Sequence, residues 1–192
     1  MAKESNFKNM TLTLLAVTFL SSACLGVVYN FTKDPIAEAQ SAKLNAALSK
    51  VLPQFDSRPL RDKFTREVDG GILTFYPVRM DDKHVGTAVQ TFSMGGYSGQ
   101  IDLLVGFLPD GTIHGIEVLA HKETPGLGDK IETDKSNFHV QFLGKSPANF
   151  RLAIRKDGGD VDAIAATTIS SRAYSEAVQR AFDALMKERG SR

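Results

Sequence analysis

The chain has 192 residues, of which 42% are hydrophobic and 23% are charged, enough for one globular domain with a core plus an appendage. Its net charge of +1 gives no electrostatic reason to expect a nucleic acid as partner. The single cysteine, Cys24, excludes an internal disulfide framework and a cysteine-based zinc or iron–sulfur site made by this chain alone. The four histidines show no metal-ligand spacing, so no metal site is predicted.

The first thirty residues are predicted to anchor the chain in a membrane. Residues 10–29 read MTLTLLAVTFLSSACLGVVY, a stretch of twenty residues without a charge. At a rise of about 1.5 Å per residue, such a helix crosses a bilayer core of roughly 30 Å. The predicted organisation is an N-terminus at 1–9, a transmembrane helix at 10–30, a connecting helix at 31–55 and a folded domain at 56–192.

Other interpretations of this N-terminal segment stay open. A cleaved signal peptide usually has a shorter apolar stretch of about 7–15 residues, and a buried core helix would carry a polar face. The letters SSAC ending at Cys24 are faintly similar to a lipoprotein processing site, although the apolar run continues beyond them. Lys3 and Lys8 precede the span, so the positive-inside bias favours a cytoplasmic N-terminus with residues 31–192 on the outer face.

The rest of the chain is predicted to be α+β, with a mainly antiparallel sheet and flanking helices. Asp34 and Pro35 are typical of a helix start, and this helix is expected to end before Pro53. It either continues the membrane helix or meets it at a kink. The stretches ILTFYPV (72–78) and HVGTAVQTFS (84–93) indicate strands because they are rich in β-branched and aromatic residues.

A β-hairpin is the clearest local prediction. In QIDLLVGFLPDGTIHGIEVLAH (100–121) two apolar runs flank the turn residues Pro109-Asp110-Gly111. FHVQFLG (138–144) indicates a short strand or helix, and FRLAIRK (150–156) a further strand. Apolar residues at helical spacing over 172–187 predict an amphipathic helix that closes the chain.

The first candidate site is HKETPGLGDK (121–130), directly after the second hairpin strand. Gly126 and Gly128 allow positive φ or a close approach of the backbone to a ligand. Successive N–H groups in such a loop can form a nest for an anion or for carbonyl oxygens. An ordinary surface turn is the alternative.

The second candidate site is DAIAATTISSRA (162–173), which has four hydroxyl side chains within five positions: Thr167, Thr168, Ser170 and Ser171. They lie just ahead of the C-terminal helix, whose N-terminus favours a phosphate. Alternatively, Ser170 or Ser171 simply caps that helix. The chain has no Walker lysine and no G-x-S-x-G elbow, which argues against a nucleotide triphosphate loop and a serine hydrolase.

Together, these stretches resemble a known family. GYSGQIDLLVGFLPDGTIHGIEVLAHKETPGLGDKI, followed about thirty residues later by VDAIAATTISSRAYSEAV, is similar to the covalent FMN-binding domain. With one N-terminal membrane helix and this length, the chain most resembles the G subunit of the Rnf complex. The C subunit of the sodium-pumping NADH:quinone oxidoreductase is similar but usually longer.

The resemblance implies a membrane-anchored electron-transfer subunit that carries covalent FMN in an ion-translocating ferredoxin:NAD⁺ oxidoreductase. It implies a bacterial inner (cytoplasmic) membrane protein with a single pass and an FMN-binding domain, residues 56–192, on the periplasmic or outer face. The implied partners are other membrane and peripheral subunits, a flavin transferase and the lipid bilayer. Translocase activity would belong to the assembly, and this chain needs no catalytic residues because the flavin supplies the redox chemistry.

In this family a flavin transferase joins FMN through its phosphate to a threonine, as a phosphodiester. The family motif runs approximately D-x-x-S-G-A-T-x-[ST]. On this sequence Asp162 takes the aspartate position, Thr168 the esterified threonine and Ser170 the final hydroxyl. The family's Ser-Gly-Ala is replaced by Ala165-Ala166-Thr167, so the glycine is lost and Thr167 becomes an alternative acceptor.

The resemblance also implies that the candidate loop lies against the isoalloxazine ring, through Glu123, Thr124, Pro125, Gly126, Leu127 and Gly128. Lys130 is either a positive neighbour of the phosphate or reduced flavin, or a solvated surface lysine. Two rival functions stay open. One is an FMN-domain subunit of another membrane redox system, such as a sodium-pumping quinone reductase. The other is a non-redox anchored binding module.

Overall fold

The computed structural model describes residues 6–190, and it divides into two compact units, one ending at Lys43 and one beginning at Leu44. The described residues form two α-helices and a five-stranded sheet. The helices are α1 (Phe7–Val51) and α2 (Thr168–Gly190). The strands are β1 (Phe64–Val68), β2 (Gly71–Met80), β3 (Lys83–Gly96), β4 (Gly99–Phe107) and β5 (Ile113–Ala120). Short 3₁₀ turns cover Gly128–Ile131, Phe138–Phe142 and Arg155–Asp157.

Among the described residues, the N-terminal unit is formed by the part of helix α1 that ends at Lys43. Its most apolar window has a mean hydropathy of 2.0 and no buried residue, so by length and composition this helix could cross a membrane. Pro35 lies inside the helix, although it lacks the N–H that would bond to the carbonyl of Phe31. The helix start predicted at Asp34-Pro35 is therefore wrong. The connecting helix continues the membrane helix, which was one of the two alternatives. It ends at Val51, before Pro53, as predicted.

The strands form an antiparallel meander in the order β1-β2-β3-β4-β5, which confirms the α+β prediction. The predicted hairpin is β4–β5, and its turn is closed by a hydrogen bond from Gly111 N–H to the Leu108 carbonyl at 2.9 Å. Strand β1 was not predicted, because three of its five residues are exposed and leave little alternating pattern.

Two short segments differ in how well they were predicted. Residues 138–142 form a 3₁₀ turn, so the helical alternative for this segment is confirmed. The strand predicted at 150–156 is wrong, because only an isolated bridge joins Ile154 to Val161. A tight turn follows this bridge: Gly158 has a φ of 81°, and the N–H of Gly159 donates to the Ile154 carbonyl at 3.1 Å.

Helix α2 packs across one face of the sheet and closes the larger core. The Thr91 hydroxyl of β3 donates to the Ala177 carbonyl of α2 at 3.0 Å, which ties the helix to the central strand. The apolar side of the helix, including Tyr174, Val178 and Leu185, is buried in this core. The β3–β4 turn, the end of β5 and the start of α2 consequently meet at the same end of the sheet.

The last turns of α1 pack against the opposite face of the sheet. Leu48 and Val51 are buried with side chains of β2, β3 and β4 in a second, smaller core. Gly106 and Gly115 leave room for the Val51 backbone, because a Cβ at Gly115 would lie 2.6 Å from the Val51 Cα. A salt bridge of 2.8 Å between Lys50 and Glu117 adds to this contact.

The packing of the Val51 backbone against the sheet can be tested at Gly106, where a Cβ would collide with the Val51 carbonyl oxygen. Gly106→Ala is expected to lower the free energy of unfolding of the domain by about 1–3 kcal/mol, through overpacking. Denaturant unfolding of the full-length protein in detergent measures this loss. Gly190→Ala is the control, since no atom lies within 4 Å of its Cβ position. Equal stability of the two variants would contradict the packing.

Candidate functional site

A single carboxylate joins the two candidate stretches. Glu123, in the first stretch, is 5% exposed, and its Oε2 accepts a hydrogen bond of 2.8 Å from the hydroxyl of Ser170 in the second. The two residues are 47 positions apart in the chain. The structure therefore brings the 123–128 loop and the first turn of α2 together.

The β3–β4 turn is the third part of this site. The backbone N–H of Ser98 donates to Glu123 Oε1 at 3.1 Å. Glycines flank the carboxylate on both sides: a Cβ at Gly96 would lie 2.7 Å from Oε1, and one at Gly128 would collide with Oε2. Both oxygens thus accept hydrogen bonds within a space that only glycine neighbours leave open.

The 123–128 loop turns outward beyond Glu123, and its residues from Thr124 to Leu127 are exposed. The N–H groups of Leu127 and Asp129 donate to the Thr124 carbonyl at 3.2 and 3.4 Å, and Gly126 has a φ of 78°. Such a φ strongly favours glycine. Because these N–H groups bond within the loop, they are not directed at an anion as a nest would require. The exposed surface of the loop is what it offers to a ligand.

His121 holds the entry of the loop. Its Nδ1 accepts the backbone N–H of Glu123 at 3.0 Å, and its Nε2 lies 2.5 Å from Glu132 Oε1. Lys135 contacts the same Glu132 oxygen at 3.0 Å and Asp129 at 3.1 Å. The hydrogen bond from His121, together with the Lys135 ammonium, holds the pKa of Glu132 below its ordinary value. These charged groups clamp the base of the loop.

The serines of the second stretch do not cap helix α2, so that prediction is wrong. The helix begins at Thr168, which places Ser170 and Ser171 inside its first turn. Ser170 bonds to Glu123, whereas the Ser171 hydroxyl donates to the Thr167 carbonyl and accepts the N–H of Ile164, both at 3.0 Å. Both hydroxyls therefore fasten neighbouring segments to the helix.

The two adjacent threonines differ in how their hydroxyls are used. Thr167 is 7% exposed, and its hydroxyl is directed at the Ile164 carbonyl at 3.4 Å. Thr168 is partly exposed, and no hydrogen bond of its hydroxyl is found within residues 6–190. Of the two, Thr168 has the hydroxyl that is open to chemistry at the helix N-terminus.

Asp162 is placed near this turn but outside the cluster around Glu123. Its backbone N–H donates to the Gln141 side chain at 2.7 Å, and its carbonyl accepts from the same side chain at 3.1 Å. Its carboxylate is exposed and pairs with Arg155 at 2.5 Å. Asp162 thus holds the segment that leads into the threonines, and within residues 6–190 no hydrogen bond joins its carboxylate to a hydroxyl of the second stretch.

The backbone at Ala166 has the conformation of a glycine. Its φ is 66°, which is uncommon for a residue with a Cβ. In the motif that the sequence resembles, Ala166 takes the place of the glycine. The left-handed turn ahead of Thr168 is therefore formed here by an alanine.

Three exposed apolar residues adjoin the site in sequence and are called the apolar rim. Tyr97, Leu127 and Ile169 are 71%, 48% and 45% exposed. Each is the chain neighbour of a residue that contacts Glu123, namely Ser98, Gly128 and Ser170. A contiguous patch of exposed apolar side chains is typical of a surface that a ligand or partner covers.

Sequence reasoning missed His121, Ser98 and the part played by Ser171. The spacing His-x-Glu, which lets an imidazole accept the N–H two residues on, was the available signal for His121. Ser98 acts through its backbone, so its side chain gave no signal. Lys130 is exposed and lies in the 3₁₀ turn that follows the loop.

The Glu123–Ser170 contact can be tested with a matched pair of buried serines. Ser170→Ala is expected to lower the free energy of unfolding by about 1–3 kcal/mol, because a buried carboxylate oxygen loses its donor. Ser175 is also buried, but its hydroxyl has no hydrogen-bond partner within residues 6–190. Ser175→Ala should therefore be close to neutral in the same unfolding experiment. Equal losses would contradict a special role for Ser170.

The left-handed conformation of Ala166 can be tested by comparing a glycine substitution there with the same substitution at its exposed neighbour Ala165. Ala166→Gly is expected to raise the free energy of unfolding by about 1 kcal/mol, because glycine adopts the left-handed conformation without a Cβ clash. Ala165→Gly should instead lower it, by about 0.5–1 kcal/mol, since glycine there only adds freedom to the unfolded chain. Chemical denaturation of both variants checks the opposite signs.

Comparisons with known proteins agree with these features. Residues 96–183 match the family described as the FMN-binding domain, and residues 1–51 match the RnfG N-terminal region. The G subunit of an ion-translocating oxidoreductase complex from Aliivibrio fischeri is 33% identical over 187 residues, covering 92% of this chain and 89% of the relative.

Two further relatives have the same name. The protein from Pseudomonas aeruginosa is 38% identical over 181 residues, covering 83% of this chain and 81% of the relative. The protein from Stutzerimonas stutzeri is 38% identical over 178 residues, covering 90% of this chain and 78% of the relative. The chain therefore belongs to the family of G subunits of ion-translocating oxidoreductase complexes.

Proposed function

We propose that this chain is a membrane-anchored electron-transfer subunit that carries FMN in an ion-translocating oxidoreductase complex. The observation that carries the proposal is the contact between Glu123 and Ser170, which unites the loop and the hydroxyl motif of the FMN-binding family. The apolar helix α1 supports the anchor. The names of the relatives support a multi-subunit redox assembly, and they favour it over a sodium-pumping quinone reductase or a non-redox module.

The residues at the start of α2 fit a flavin phosphate. The N-terminus of a helix carries a partial positive charge and unpaired N–H groups, which favour a phosphate. Thr168 is the first residue of the helix and its hydroxyl is unengaged among the described residues, whereas the Thr167 hydroxyl is buried against a carbonyl. We therefore place the phosphodiester on Thr168 and keep Thr167 as the alternative acceptor.

Formation of this bond requires a defined exchange of groups. A flavin transferase would supply FMN as a phosphoanhydride, together with a base that takes the proton of the Thr168 hydroxyl. The Thr168 oxygen forms a bond to the flavin phosphorus, the anhydride P–O bond breaks, and the second phosphate group leaves with the electron pair of that bond. The chain itself supplies the acceptor oxygen and the turn that presents it.

The rim around Glu123 fits an aromatic ring. Leu127, Tyr97 and Ile169 offer exposed apolar side chains, and the residues 124–126 that precede Leu127 in the loop are also exposed. The Glu123 carboxylate accepts hydrogen bonds from the Ser98 N–H and the Ser170 hydroxyl. A negative charge at this position, close to the ring, would make the addition of electrons to the flavin less favourable.

The division of labour follows from these features. FMN, when bound, supplies one- and two-electron redox chemistry. The chain orients the ring, shields one face with apolar side chains and tethers the phosphate. A covalent tether keeps the site occupied on a side of the membrane that lacks a flavin pool.

Helix α1 would complete this arrangement by confining the domain near its electron donors and acceptors. The single apolar span supports one pass through the bacterial inner membrane. Lys3 and Lys8 precede this span and favour a cytoplasmic N-terminus. The FMN-binding domain would then lie on the periplasmic or outer face. The other subunits of the complex would supply the electron carriers and the ion path.

The attachment is tested by producing the full-length chain together with a flavin transferase and examining a denaturing gel under ultraviolet light. Thr168→Val should abolish the fluorescent band, because valine keeps the shape but lacks the hydroxyl. Thr167→Val is the matched control and should retain the band. Loss only in the Thr167 variant would move the assignment to Thr167. An unlabelled native chain would overturn the covalent carrier.

A further inference from the structure

His121 connects the two sides of the 123–128 loop. On one side its Nδ1 receives the N–H of Glu123, where the loop begins. On the other its Nε2 bonds to Glu132, just beyond the 3₁₀ turn that follows the loop. The side chain is only 12% exposed, so water has little access to replace either bond.

These two bonds define one tautomer of the imidazole. Because Nδ1 accepts a backbone N–H, it carries no proton. The ring proton is therefore on Nε2, where it is donated to the Glu132 carboxylate at 2.5 Å. Lys135 bonds to the same carboxylate oxygen and also to Asp129, so Glu132 keeps a cation independently of His121.

We infer that His121 is a positioning residue, which in this single tautomer fixes the backbone of Glu123 and so directs its carboxylate to Ser98 and Ser170. The chain of contacts is continuous. Glu132 orients the ring, the ring holds the Glu123 N–H, and the Glu123 side chain receives donors at 3.1 and 2.8 Å. An effect of His121 on covalent flavin attachment rests on the proposed function. The effect of His121 on the position of the 123–128 loop does not.

An ion pair between a protonated His121 and Glu132 is the rival explanation. The charged and titratable groups that face the imidazole are Glu132, Asp129, Lys135 and Glu123. A second ring proton would occupy Nδ1 and remove the acceptor for the Glu123 N–H. The two explanations therefore make opposite predictions for variants that keep only one ring position.

Two substitutions separate the ring nitrogens. In His121→Asn the amide oxygen occupies the δ position and can accept the Glu123 N–H, while Glu132 keeps Lys135. In His121→Gln the amide nitrogen occupies the ε position and can donate to Glu132, but the acceptor at the δ position is lost. A role through Nδ1 predicts that Asn rescues the loop and that Gln does not.

Amide hydrogen exchange of the full-length protein in detergent, read by mass spectrometry, tests the hold on the loop. Peptides covering 122–128 should exchange at least several-fold faster in His121→Gln than in the native chain, and at nearly the native rate in His121→Asn. Glu132→Gln retains an oxygen that accepts the Nε2 proton, so it should exchange like the native chain. Peptides from α2 beyond Ser175 serve as the internal folding control.

Several outcomes would overturn the inference. These are equal exchange in the two His121 variants, unfolding of both variants, or release of the loop by Glu132→Gln, which would favour the ion pair. Covalent flavin fluorescence, measured on the same variants with a co-produced transferase, should fall in His121→Gln and be restored in His121→Asn. An unlabelled native chain would instead defeat the proposed function, while the exchange result would still decide the role of His121.

Discussion

The buried carboxylate of Glu123 is the constraint around which the site is organised. Removing an acid from water is costly unless hydrogen bonds replace those that it loses. Here the donors are the Ser98 N–H of the β3–β4 turn and the Ser170 hydroxyl of α2. Because each donor lies on a different element, both carboxylate oxygens are hydrogen-bonded only when the β3–β4 turn, the 123–128 loop and helix α2 are all in place. A local requirement for solvation thus becomes a requirement on the tertiary structure.

The sheet supplies the rigid frame on which these elements meet. Helix α2 is tied to β3 by Thr91 and by Ser93, whose hydroxyl donates to Glu176 at 2.9 Å. The last turns of α1 cover the opposite face, where Gly106 and Gly115 admit the Val51 backbone. Both faces of the central strands are therefore packed. The exposed parts of the site lie in loops and in the first turn of α2. A ligand or partner can reach them there.

Local patterns predicted the local structure, and the long-range contacts determined where they failed. Stretches rich in β-branched and aromatic residues correctly indicated β2 and β3, and two apolar runs around a turn indicated β4 and β5. The mostly exposed β1 had no comparable pattern. The turn after Ile154 converted a strand-like stretch into an isolated bridge. Serine is a residue type that often caps helices, but the Ser170 hydroxyl bonds to Glu123, 47 positions away. No local sequence rule identifies such a distant partner. Resemblance to a family selected the loop and the hydroxyl motif, but the clamp at His121 emerged only from the three-dimensional structure.

Ala166 shows why the departure from the family motif does not by itself count against Thr168. A glycine in such a motif is required either for space or for conformation. Ala166 is exposed, so space is not limiting, and its φ of 66° is the conformation that glycine would adopt. An alanine in this conformation costs about 1 kcal/mol of strain relative to glycine. With the backbone in this conformation, Thr168 begins the helix and Thr167 is buried. The lost glycine thus bears on the stability of the turn, and the choice between the two threonines depends on their hydroxyls.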